Sequence, residues 1–114
     1  MTTLFDRFGA HDVREAPFGG RGEVRVWNLL AQSHAAPFTA VLACELAPQS
    51  SVGKHHQAAC AEIVVGLEGH GSARVDGQTQ ALEPGSVVHL PLGAMLEIDN
   101  TTDVPLRYLI IKAK

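Results

Sequence analysis

From Gly22 onward, apolar and polar positions alternate in short runs broken by glycine and proline. Val24, Val26 and Asn28 interleave with Arg25, Trp27 and Leu29, a period of two that predicts a strand. In the next run Phe38, Ala40, Leu42, Cys44 and Leu46 share one face, with Thr39, Val41, Ala43 and Glu45 on the other, until Pro48 and Gly53 close it. Residues 62–67 form a β-branched run, and Gly69-His70-Gly71 turns the chain. Residues 72–75 meet Asp76-Gly77, a pair suited to a type I′ hairpin because both central positions there need positive φ. Further strands are expected over 86–90, 96–100 and 106–112, separated by Pro91 to Gly93 and by the polar stretch after Asn100. Only residues 31–36 suit even one helical turn. Residues 1–20 show no clear period and read either as a loose arm or as a strand recruited by a partner. Short strands with turns at this spacing predict an all-β sandwich or barrel.

Composition narrows the picture. A chain of 114 residues suits one domain, and a hydrophobic share of 46% is enough to build a core rather than a disordered tail. The net charge of −3 excludes a strongly basic surface, so no nucleic-acid partner is expected. Asp6, Arg7, Asp12 and Arg14 leave no room for the apolar stretch of a signal peptide. The uncharged stretch 28–44 is interrupted by Gln32, Ser33, His34 and Pro37, so no membrane span is expected either. Cys44 and Cys60 form no CxxC pair and are too few for a disulfide framework; two reduced thiols suit a cytoplasmic protein.

The chemistry concentrates in one place. His55 and His56 adjoin shortly before Glu62, and imidazole with carboxylate is the raw material of a first-row metal site. His55, Gln57 and Glu62 project the same way if the loop between Gln57 and Glu62 reverses the chain. His11, His34 and His70 have no partner in the sequence, and His56 alternates away from His55 toward solvent. The glycines around Phe18 are not a phosphate loop, since no GK[ST] follows.

Gly53-Lys54-His55-His56-Gln57-Ala58-Ala59-Cys60-Ala61-Glu62, with Gly69 beyond it, resembles the first motif of the cupin family. Gly85, Pro91, Gly93 and Asn100 register without a gap on the second motif. The resemblance covers about the last two-thirds of the chain and implies a double-stranded β-helix, a jelly-roll barrel, over 21–114 after an N-terminal arm over 1–20. It also implies a homodimer with strands paired across the interface.

The family's metal ligands transfer only in part. His55 and Glu62 hold two ligand positions, while Gln57 stands at the second histidine of the first motif and Leu96 at the histidine of the second. His89 repairs the set if it faces the interior, giving two imidazoles and a carboxylate; alternation alone does not choose between His89 and its neighbours Val88 and Leu90. The resemblance implies a divalent iron, manganese, nickel or zinc ion, weakly held, or none. Leu42, Cys44, Cys60, Met95 and Leu96 are expected to line the pocket. Gly66 either enlarges that pocket or marks a bulge. Two functions are then expected in order: a binder of a small, largely apolar molecule at a degraded metal site, or a metal-dependent dioxygenase or isomerase acting on a small organic substrate.

Overall fold

The computed structural model describes residues 4–31 and 33–114. Ten strands run in chain order: β1 (Asp12–Glu15), β2 (Glu23–Asn28), β3 (Phe38–Leu46), β4 (Ser50–His56), β5 (Ala61–Glu68), β6 (Gly71–Val75), β7 (Gln78–Leu82), β8 (Val87–Leu90), β9 (Met95–Asn100) and β10 (Leu106–Ala113). A 3-10 turn, Pro17–Gly19, separates the first two. The strands make two antiparallel sheets, ordered β1-β2-β3-β10-β5-β8 and β4-β9-β6-β7. This is the expected all-β jelly roll. The expected hairpin forms at Asp76 (φ 49°) and Gly77 (φ 85°). The segment 31–36 includes residue 32, outside the described residues; Ser33 N–H donates to Leu30 O in a turn.

Alternation along each strand sends one set of side chains between the sheets. Val24, Val26, Cys44, Leu46, Val64, Leu90 and Tyr108 pack from the larger sheet against Val52, Ala73, Leu82, Leu96 and Ile98 from the smaller one. One end of the sandwich is closed by Asn100, fully buried on β9. Its Nδ2 donates toward the carbonyls of Leu46, Ala47 and Val104 at 2.9–3.2 Å, and its Oδ1 accepts from Thr102 N and Oγ1. The asparagine of the second motif is thus a structural clamp on backbone groups that would otherwise be buried unpaired.

The outer face of the larger sheet is partly covered by the chain's own beginning. Trp27 Nε1–H donates to Asp6 O at 2.8 Å, and the Phe5 and His11 rings pack against the indole. Arg7 and Arg107 both pair with Glu45, which explains why this charged residue on the outward face of β3 is buried. Residues 4–20 therefore supply an edge strand and a cover. Gly66, left open between two roles, sits where β5 and β10 slip register: Arg107 opposes Glu68 while Tyr108 opposes Gly66. A Cβ there would collide with the Glu83 backbone, so the glycine serves a bulge and a close chain crossing.

Candidate functional site

At the end opposite Asn100, β4 runs out, β5 begins and β10 finishes around a cavity of about 340 Å³ between the sheets. Val24, Val26, Leu42, Leu96, Ile98 and Ile110 make most of its wall. Arg14, His55, His56, Gln57, Glu62 and Lys112 supply polar groups, with the Cys44 and Cys60 thiols and the Tyr108 hydroxyl.

His55 reaches the cavity because β4 is bulged. Val52 opposes Ile98 and His55 opposes Leu96, so three steps on β4 match two on β9. In a regular strand two residues three apart face opposite ways; the extra residue at Gly53-Lys54 turns both inward. The site for this bulge is tight, since a Cβ on Gly53 would collide with the Phe18 carbonyl. His55 Nδ1–H donates to Gly53 O at 2.9 Å, which leaves Nε2 with the lone pair when the ring is neutral. Phe18 stacks on the imidazole with centroids 4.0 Å apart and planes at 10°. Burial pushes the imidazole below its ordinary value; the Gly53 carbonyl opposes this and the Lys112 charge reinforces it.

Glu62 starts β5 facing inward and is 2% exposed. Lys112, its neighbour across β10, brings Nζ to 3.8 Å from Oε1. Oε2 is buried with no hydrogen-bond partner among the described residues. Burial raises the carboxyl above its ordinary value, and Lys112 only partly opposes the shift. Gln57 fixes the following loop through its backbone: its N–H donates to Ala94 O and its carbonyl accepts from Gly93 N. Cys44, on the wall, has its thiol pushed up to about 12 by burial, so it carries its proton and is no nucleophile. Tyr108, opposite it on β10, is also raised well above its ordinary value, by burial and then by the adjacent thiol.

The cavity thus brings together His55, Gln57 and Glu62 with Leu42, Cys44, Cys60 and Leu96. Two expected members fall elsewhere. His89 is exposed, because Glu62 pairs with Leu90 and both face inward, which throws His89 outward opposite Ile63. Met95 is likewise turned away: Leu96 takes the inward position on β9, and Met95 lies off the cavity, its N–H held by Asp76 Oδ1. His56 is exposed at the mouth. Sequence reasoning missed Lys112, Arg14 and Phe18. Lys112 had a signal, since it continues the face of Tyr108 and Ile110; the aperiodic stretch around Arg14 and Phe18 had none.

A resident divalent metal does not fit this donor set. Leu96, 1% exposed, fills the position of a ligand with hydrocarbon, Gln57 offers only an amide, and the Lys112 ammonium already stands beside the one carboxylate. Among the described residues no group of three His, Cys, Asp or Glu side chains is placed to hold an ion.

Comparison with known proteins agrees with this architecture. The family model described as "Cupin domain" matches residues 42–112. A predicted oxalate decarboxylase from Thermotoga maritima superposes with a TM-score of 0.85 at 24% identity, covering 98% of each chain. A Cupin 2 conserved barrel domain protein from Salinispora arenicola gives 0.76 at 24% identity, over 100% of this chain and 88% of that one. A sugar phosphate isomerase of the cupin superfamily from Silicibacter pomeroyi gives 0.67 at 21%, over 80% and 59%. At these identities the likeness is one of fold. No curated protein sequence matches.

Proposed function

The chain belongs to the cupin domain family, and from that premise we propose that its barrel binds a small, largely apolar molecule without a resident metal. The observation that carries this reading is Glu62 Oε2, a buried acceptor with no partner among the described residues, at the edge of a cavity whose wall is mostly hydrocarbon. Leaving such a group unpaired costs about 1–3 kcal/mol, which a donor on a bound molecule offsets. The volume of about 340 Å³ lies at the small end of the ~300–1,000 Å³ typical of ligand pockets. His55 Nε2 and Gln57 offer further polar contacts, and the Val, Leu and Ile wall supplies contact area.

Elemental analysis of protein purified without chelator tests the metal-free reading. We expect substoichiometric metal in the wild type and higher affinity for added zinc in Leu96→His. A full equivalent retained through dialysis, and lost in His55→Ala, would overturn it in favour of a metal-dependent enzyme.

The expected homodimer and cytoplasmic location extend the same proposal. Ile63 on β5 and Val87 on the edge strand β8 are exposed at diagonal positions on the same outer face of the larger sheet, and a second copy suits this surface. Both cysteines are free, in keeping with a reducing compartment. No helix among the described residues is long and apolar enough to cross a membrane.

A further inference from the structure

We propose that the molecule bound in the barrel is a small carboxylate with an apolar body and a hydroxyl beside the carboxylate. Lys112 and Arg14 face the anion, and Glu62 Oε2 accepts from the hydroxyl. This rests on the reading of the barrel as a small-molecule site and adds the chemical class of its occupant.

The charges facing the cavity are unequal. Arg14 and Lys112 line it against the single acid Glu62, two positive groups to one negative, so the lining carries one positive charge in excess. Asp12 lies 3.6 Å from Arg14 but outside the lining and in solvent, where screening weakens the pair. Both cations also act on the Cys44 thiol within the cavity wall, lowering what burial raises, so their fields overlap in one space. Lys112 Nζ is near enough to Glu62 Oε1 for attraction at 3.8 Å yet too far for a hydrogen bond, which leaves its donors to a third group. An anion matches the excess positive charge of the lining, a neutral acceptor leaves it uncompensated, and an ammonium would meet two like charges.

The orphan oxygen sets the second requirement. A bare carboxylate offers Glu62 only acceptors, whereas a hydroxyl next to it supplies the missing donor. The wall beyond, from Val24 and Val26 to Leu96 and Ile98, accepts hydrocarbon, its polar atoms there being those of the uncharged Cys44 and Tyr108 side chains.

Calorimetric titration of the full chain with four matched probes tests this. They are 2-hydroxy-3-methylbutanoate, 3-methylbutanoate, 3-methylbutan-1-ol and 3-methylbutylamine. We expect the hydroxy acid to bind about tenfold more tightly than the plain acid, the worth of one good hydrogen bond. The alcohol should bind more weakly than either and the amine not measurably. Lys112→Met should reduce both acids to the level of the alcohol, and Lys112→Arg should keep the preference. If the alcohol or the amine matches the acids, the carboxylate assignment fails while the barrel remains a small-molecule site. If none of the four binds, both readings fail.

Discussion

Glu62 carries an unusual load for one residue: it is almost wholly buried, half paired, and set among hydrocarbon. Its folded value is raised, so the stability it contributes is complete below the ordinary carboxylate value and is lost as pH climbs through the raised one. Glu62→Gln keeps the shape and removes the charge. The variant should melt roughly 4 °C above the wild type at about pH 8, equivalent to about 1 kcal/mol, and level with it at about pH 4. Melting curves at the two pH values decide this; an equal gap at both would mean that ionisation of Glu62 is not felt. His55 runs the other way, its contribution being present above its ordinary value and lost as pH falls through the lowered one. His55 and Glu62 were both legible from their motif spacing. For Lys112 only its face was legible, as the continuation of Tyr108 and Ile110; its place beside Glu62 comes from the long-range β10 register.

Among the elements, β4 decides whether His55 belongs to the site at all. Its bulge holds only while Gly53 lets the Phe18 carbonyl come close, so Gly53→Ala should lower stability by about 1–3 kcal/mol through overcrowding. Trypsin should then cut after Arg14 and Arg21 faster than in the wild type as the preceding segment loosens. Unchanged melting and unchanged cleavage would show that the contact has slack. Most strands were readable because turn residues bracket them and one face of each is buried. The Asp76-Gly77 hairpin is the clearest case. β1 was hidden for the opposite reason: all four of its residues are exposed, so no burial period marks it. The inward placement of Val88 and Leu90, which excludes His89, follows from the pairing of Glu62 with Leu90, a long-range register that a single strand's alternation does not contain.

At the level of the whole molecule, the two ends of the sandwich have opposite jobs. Asn100 ties one end shut through backbone carbonyls, and the other is left open around charged groups. The sides differ as well, since residues 5–11 cover the larger sheet's outer face at Trp27 and Glu45 and leave Ile63 and Val87 exposed. Val87, 65% exposed, is the natural place to test association. On the proposed interface the wild type is expected to sediment as a dimer and Val87→Asp as a 12.1 kDa monomer, with stability changed by no more than about 0.5 kcal/mol. A monomeric wild type would sink the interface. The remaining consequence concerns Phe18, which lies flat on His55 although it precedes the stretch that matches the family. Two cupins with identical barrels but dissimilar leaders would present different doors to the same room. Grafting a new leader onto this chain is therefore a route to changing what it admits without altering a single barrel strand.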